Sequence, residues 1–402
     1  MISAAAMTNA SARPVPARPQ LAGPYGWMTH PANRWTFQRI TGLLPTVRID
    51  PDPDRRWPLA EDPQDLDRVR VALPGSRATL ADFLDRSCTD GLIVLHRGRI
   101  TCERYRGGME PGTRHHTASV SKSVTGLVTA ILAGQKLIAP GRAITDYLPG
   151  LTDGAYRGAT VADLLDMRAS VSFGPSYAHW ARFISAAGWH LPDGAGPHED
   201  LVGMARTLPG ITGARHGSVF AYNNCNPALL ALICEQVTGL SFARCVGQLL
   251  WRPLGAGYPA EAITGGRGGS AGAAAAGLQL TLRDCARIGE LVRCQGAGPW
   301  GQVVPPGWIA ALGRGPVPLP DHSGAFTAAY DDPGYRGLWW SFPGQLAAIG
   351  AFGQLIAVHP DHEVTVAMLS SEPGPWDLAA DRTRLRVAAA LAGTLAGRPG
   401  RP

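Results

Sequence analysis

Segments with strand character occur at two widely separated places in this 402-residue sequence, and helical segments fill the interval between them. In "GLIVLHRGRITCERY" two apolar runs flank Arg97-Gly98, the pattern of a β-hairpin. Near the C-terminus "RGLWWSF", "AIGAFGQLIAVH" and "VTVAMLS" again read as strands, with a turn at "HPDHE". Between these regions the period changes. Val120, Val124, Leu127, Val128, Ile131 and Leu132 recur at helical spacing, so "SVSKSVTGLVTAILAG" predicts a helix that ends near Gly134. "TVADLLDM", "NPALLALICEQVTG" and "SFARCVGQLLWRPLG" predict more helices, and Thr281 with Asp284 gives "TLRDCARIGELVRC" a capping-box-like start. "DLAADRTRLRVAAALAGTLAG" closes the chain as an amphipathic helix.

Strands at both ends with helices between them predict an α/β (α+β) architecture, an antiparallel β-sheet flanked by helices and interrupted by an all-helical subdomain. The expected boundaries are a loose tail over 1–25, a sheet domain from 26–118 and 280–402, and a mainly helical domain over 119–279, with the active site at the junction. The tail is rich in Pro and Ala and lacks the apolar stretch of a signal peptide, and no segment has the roughly 20 apolar residues of a membrane span. The seven cysteines are odd in number and show no CxxC spacing. A reduced, cytoplasmic protein without a metal or other cofactor is expected. The formal charge is +6, but the arginines are interleaved with acids, as in "EDPQDLDRVR", which argues against nucleic acid as a partner.

Lysine is scarce. Only Lys122 and Lys136 occur among 37 basic residues, and arginine supplies the rest. A guanidinium cannot lose its proton in a protein, whereas a buried ammonium can, so a titrating role explains a lysine at 122. Ser119 stands three residues earlier at the start of the predicted helix, where side chains at i and i+3 share a face and free backbone N–H groups lie close. A capped helix with an exposed lysine is the plainer alternative. Downstream, Tyr222 and Asn224 form Y-x-N just before another predicted helix, where a phenol can relay a proton and an amide can hold a lysine. Read alone, that pair is more readily a turn with a core tyrosine, and it is the S-x-x-K about 100 residues upstream that gives it a catalytic reading.

Together Ser119-x-x-Lys122, Tyr222-x-Asn224 and the late strand "AIGAFGQLIAVHP" resemble the three motifs of the penicillin-recognising serine hydrolases. Within that group the chain resembles the class C β-lactamase-like branch that includes 6-aminohexanoate-dimer hydrolases and related esterases. "NRWTFQRITGLLPT", "ATVADLLDM", "LLWRPLGA" and "LTLRDCARIGEL" read like that branch and in its order. The resemblance implies a β-lactamase/transpeptidase-like fold with Ser119 as acylated nucleophile, Lys122 and Tyr222 as proton carriers and Asn224 orienting Lys122. It further implies an oxyanion hole from the backbone N–H groups of Ser119 and Ala351, and substrate contacts at Ile349, Gly350 and Tyr177, with Trp180 and Trp189 as candidate pocket walls.

The third motif departs from the family pattern. Where K-T-G or H-T-G is usual, this chain has Ala348-Ile349-Gly350, without the cation and hydroxyl that hold a substrate carboxylate. The expectation is therefore a small-molecule ester or amide substrate and not a β-lactam. Transfer of the acyl group to an amine or alcohol is the alternative activity, and an acylated sensor that never turns over is a second. The oligomeric state is left open. "GGSAG" matches the G-x-S-x-G nucleophile elbow, but its flanks lack the required strand and helix, so Ser270 reads as part of a loop. His115 and His116 are candidate edges of the pocket, and His359 and His362 are expected to be solvated.

Overall fold

The computed structural model describes residues 17–23, 25–73, 76–174, 177–189, 199–265, 269–314 and 320–397. Seven antiparallel strands form the main sheet: β1 (Thr89–His96), β2 (Arg99–Tyr105), β3 (Gly334–Arg336), β4 (Trp339–Phe342), β5 (Gln345–Gly350), β6 (Gln354–His359) and β7 (Val364–Ser370). Their spatial order is β3-β4-β5-β6-β7-β1-β2. The last strand thus lies beside the first hairpin, with Val364 opposite His96 and Met368 opposite Leu92. Arg97 and Gly98 both take positive φ, 52° and 75°, the backbone that a tight hairpin turn demands and glycine adopts without strain. The Arg97 N–H donates to the Glu363 carbonyl at 2.8 Å, which ties this turn to the one between β6 and β7.

Strands β1, β6 and β7 are buried along their whole length, which requires cover on both faces. Four helices are used below: α1 (Val120–Gly134), α3 (Leu282–Arg293) and α4 (Leu378–Ala396) pack on the sheet, and α2 (Cys225–Thr238) packs on α1. The start of α3 is capped as its sequence predicts, with the Asp284 N–H donating to Thr281 Oγ1 at 3.2 Å.

Helix α1 is buried on almost every side, because it packs on β5 as well as on α2. Its small polar residues are matched one by one. Ser121 Oγ accepts from the Leu278 N–H at 3.1 Å, Ser123 Oγ donates to the Leu338 carbonyl at 2.7 Å, and Thr125 Oγ1 donates to the Ala274 carbonyl at 3.0 Å. These bonds offset the desolvation of the hydroxyls and set the depth of α1 in the molecule.

A second sheet has four strands in the order Thr46–Ile49, Ala260–Ile263, Leu278–Thr281 and Arg114–His116. Residues 119–279 are accordingly helical in the main but also hold strand Ala260–Ile263 and the start of Leu278–Thr281. The strand Arg114–His116 leads directly into α1, anchored by the His116 N–H on the Phe37 carbonyl at 2.8 Å. Phe37 and Trp27 are fully buried, so the N-terminal segment belongs to the core from about Gly26 onward. Among the described residues no single helix is long and apolar enough to cross a membrane, and all seven cysteines are free thiols.

Candidate active site

Between strand Arg114–His116 and α1 the chain turns through Ala118, whose φ of 44° is unusual for a residue with a side chain. That turn sets Ser119 immediately ahead of α1, with Lys122 in the first helical turn. Ser119 retains 7% exposure and Lys122 is buried. Lys122 Nζ lies 2.8 Å from Ser119 Oγ, 2.7 Å from Asn224 Oδ1 and 2.7 Å from the Ala275 carbonyl oxygen. No carboxylate is among these partners. Burial alone holds the Lys122 ammonium well below the ordinary lysine value.

Asn224 is brought there by the N-terminus of α2. The neighbouring Asn223 caps that end, with Oδ1 accepting from the Cys225 N–H at 2.8 Å, and its Nδ2 donates to the Tyr156 hydroxyl at 3.0 Å. Tyr156 in turn donates to Asn226 Oδ1 at 2.7 Å. This buried network holds the segment that carries both Tyr222 and Asn224. The Tyr222 ring lies with its centroid 5.0 Å from Lys122 Nζ. Burial raises the Tyr222 phenol, and the Ser119 side chain partly opposes that rise. Aromatic neighbours hold the ring in place: Trp340 is stacked on it at 6.3 Å, with Phe326 at 5.6 Å and Tyr335 at 6.2 Å.

The end of β5 completes the group. A Cβ on Gly350 would come 2.6 Å from the Thr117 carbonyl oxygen and 3.1 Å from the Ser119 nitrogen, so only glycine allows the strand to approach the start of α1 this closely. Ile349 and Ala351, on either side of it, are partly exposed. Among the described residues neither the Ser119 nor the Ala351 N–H donates to a backbone carbonyl. Ser119, Lys122, Tyr222 and Asn224 therefore converge, with Gly350 against them.

Other residues singled out from the sequence lie differently. Tyr177 opens the helix Tyr177–Ala186, and its side chain lies outside the described residues. Trp180, on the same helix, is half-buried. Trp189 is buried behind the segment Gly272–Gly277, where a Cβ on Gly277 would come within 2.7 Å of its ring. Ser270 is buried, and its Oγ accepts from the Ala243 N–H at 3.1 Å, a structural role. His115 is buried, facing the His116 carbonyl oxygen at 2.8 Å and Asp90 Oδ2 at 3.3 Å. His116 faces Gln279 at 3.1 Å, and burial pushes its imidazole down to about 3. His359 corrects the expectation of a solvated ring. As the last ladder residue of β6, opposite Val364, it is only 3% exposed, and burial pushes it down to about 4.

The Ala275 carbonyl, a partner of Lys122, was not legible as such, because a backbone oxygen has no side-chain signature. The only hint was the run of small residues "GAAAAG", which lets the chain pass close to α1.

A β-lactamase family model matches residues 77–390. Over 358 residues the chain is 33% identical to a 6-aminohexanoate-dimer hydrolase from Paenarthrobacter ureafaciens, covering 87% of this chain and 88% of that one. A solved candidate 6-aminohexanoate-dimer hydrolase from Bacillus anthracis aligns with a TM-score of 0.81 at 24% identity, over 93% of this chain and 97% of its own. The solved structure of EstCE1, a hydrolase with promiscuous acyltransferase activity, aligns with a TM-score of 0.60 at 18% identity, over 78% and 96%. The two structural likenesses show the β-lactamase/transpeptidase-type fold. With a family model spanning most of its length and a 33% identical relative matched nearly end to end, the chain belongs to the β-lactamase-like family of serine hydrolases.

Proposed function

We propose that the protein takes the acyl group of a small ester or amide onto Ser119 and releases it to water. The observation that carries this reading is the hydrogen-bond set of Lys122. Asn224 Oδ1 and the Ala275 oxygen can only accept. A neutral Lys122 amine therefore donates its two hydrogens to them and turns its lone pair to the Ser119 O–H, 2.8 Å away. After proton transfer the ammonium has three hydrogens for the same three oxygens. The proton moves between Oγ and Nζ without leaving a buried group unpaired. Burial disfavours the cation and so keeps the resting amine ready to accept that proton.

Tyr222 is biased the other way. Its phenol is raised by burial and stays protonated, so it is the donor for the departing alcohol or amine, and Lys122 restores its proton. The tyrosine ring beside Nζ favours the ammonium that forms. In the step itself the Ser119 oxygen attacks the carbonyl carbon, and the oxyanion is held by the N–H groups of Ser119 and Ala351. Collapse breaks the bond to the leaving group, and water then repeats the sequence on the acyl-enzyme. Asn224, Ile349, Gly350 and Tyr177 are assigned to substrate contact. Ala348-Ile349-Gly350 offers no cation to a substrate carboxylate, which supports an ester or amide over a β-lactam.

The 33% identical relative, a 6-aminohexanoate-dimer hydrolase, supports water as the acceptor. Transfer to an amine is the second reading, favoured by the acyltransferase activity that EstCE1 combines with this fold. The test is intact-protein mass spectrometry during turnover of p-nitrophenyl acetate. An adduct on Ser119 that is absent from Ser119→Ala and Lys122→Ala supports the acyl-enzyme, and shortening of its lifetime by an added alkylamine supports transfer. Equal behaviour of wild type and Ser119→Ala would overturn the mechanism.

A further inference from the structure

The turn between β5 and β6 consists of Ala351, Phe352 and Gly353, and the N–H of its first residue is one of the two oxyanion donors proposed above. Phe352 and Gly353 both take positive φ, 63° and 89°. For a residue with a side chain that conformation costs energy and persists only where the surroundings hold it. Phe352 is held on three sides: its carbonyl accepts from the Glu372 N–H at 3.1 Å, its N–H donates to the Pro375 carbonyl at 3.4 Å, and its ring meets Phe37 edge-on at 5.1 Å. None of these contacts reaches Ala351.

Gln354, the first residue of β6, does reach it. The residue is buried, and its side chain lies against the end of β7, just beyond Leu355 and Met368, the last pair of the β6–β7 register. Gln354 Oε1 accepts from the Ser370 N–H at 3.1 Å and Nε2 donates to the Ser370 carbonyl at 2.6 Å, so the amide extends the ladder by one step. Those two bonds fix which way the amide faces, because turning it over would set Nε2 against an N–H and Oε1 against a carbonyl. The second hydrogen on Nε2 is shared by the carbonyls of Ala351 at 3.3 Å and Phe352 at 3.4 Å. No other side chain among the described residues donates to the Ala351 carbonyl. On the other side of Ala351, Gly350 is pressed against Thr117 and Ser119. The chain is thus held both before and after the Ala351 N–H, and that N–H has no backbone acceptor among the described residues.

We propose that Gln354 is a positioning residue for acyl transfer: its buried amide ties the turn to β7 and so aims the Ala351 N–H at the oxyanion. This rests on the acyl-enzyme reading given above. Gln354 is not among the partners of Lys122 Nζ, so it leaves the proton relay alone. The oxyanion contact reaches full strength only when the carbonyl carbon becomes tetrahedral, so losing its aim slows the chemical step and spares ground-state binding.

Two variants test this. Gln354→Met keeps the length of the side chain and removes both donor and acceptor. Gln354→Glu is the milder change: burial among carbonyls keeps the new carboxyl protonated, its one O–H goes to the Ser370 carbonyl, and only the bond to the turn is lost. The assay is stopped-flow acylation by p-nitrophenyl acetate, with circular dichroism to establish folding. The saturating acylation rate of either folded variant is expected to fall about 10- to 100-fold, less than the loss of an oxyanion donor outright, while the half-saturating ester concentration changes less than about threefold. The acidic limb of the pH profile is expected to stay in place, because the partners of Lys122 are untouched. The rate advantage of the ester over p-nitrophenyl thionoacetate, whose sulfur is a poor hydrogen-bond acceptor, is expected to shrink by about threefold or more, whereas general loosening would slow both alike. A wild-type rate in folded Gln354→Glu, a displaced acidic limb or an unchanged advantage over the thionoester would overturn the proposal while wild-type protein still acylates Ser119. No adduct on wild-type Ser119 would overturn the acyl-enzyme reading, and this proposal with it.

Discussion

Replacing Gly350 by alanine would add a methyl group at the tightest contact between β5 and the start of α1. The new Cβ would stand 2.6 Å from the Thr117 carbonyl oxygen, 2.9 Å from Gln354 Cβ and 3.1 Å from the Ser119 nitrogen. Restoring an ordinary contact at Thr117 requires a movement of about 0.8 Å, the gap between that 2.6 Å and the 3.4 Å where normal contact begins. The Thr117 backbone resists, because its N–H and Oγ1 both bond to the Leu278 carbonyl, at 3.1 and 2.8 Å. The displacement therefore falls on the end of β5 and on the proposed oxyanion donor Ala351. A shift of about 1 Å at reacting atoms costs on the order of 100-fold in rate, and forcing a methyl group into a packed site costs about 1–3 kcal/mol of stability. The assay is kcat/KM for p-nitrophenyl acetate beside urea denaturation. A folded Gly350→Ala protein should lose between tenfold and 100-fold in kcat/KM, on the order expected for such a shift. Gly393→Ala is the control, because it lies on the exposed side of α4 with nothing within 4 Å of the added methyl, and it should leave activity unchanged. Wild-type kcat/KM in Gly350→Ala would refute the claim that this contact aligns the site.

Asn224→Leu removes one acceptor from Lys122 Nζ. A hydrogen bond to a charged group contributes about 1.5–3 kcal/mol, so a loss of about 10- to 100-fold in acylation is expected. The bond is stronger to the ammonium than to the amine, so its loss penalises the cation and lowers the Lys122 pKa further. Activity requires the neutral amine and rises with pH through that titration, so the acidic limb of the kcat/KM profile should move to lower pH in the variant. Ser270→Ala leaves the Ala243 N–H without its acceptor and should cost about 1–3 kcal/mol in chemical denaturation with no change in kcat/KM, whereas a large loss of activity would restore Ser270 as a candidate nucleophile.

The hairpin at Arg97-Gly98, the cap at Thr281 and the span of α1 were legible because each is encoded within one turn or one helical period. So was the meeting of Ser119 with Lys122, three residues apart across the start of one helix. The pairing of Lys122 with Asn224 was reached only through resemblance to a family, since 102 residues separate them. His359 illustrates the opposite outcome. Its local sequence, a histidine beside "PDHE", reads as a solvated turn, yet the antiparallel pairing of β6 with β7 extends to it and buries the ring.

Local periodicity and spacing by themselves determined the strands of the main sheet and the helix that carries Ser119 and Lys122, and the resemblance to a family marked Ala348-Ile349-Gly350 as a third motif without a charge, whereas the second sheet emerged only from the structure. Tertiary structure alone decided that Lys122 is buried without a carboxylate, that the Ala275 carbonyl completes its partners and that β5 presses on Ser119 at Gly350. The physical reason is that a lysine's protonation state depends on everything that excludes water from it. Here the excluding atoms come from segments far apart in the chain, and one of its three partners is a backbone carbonyl, identical in every residue.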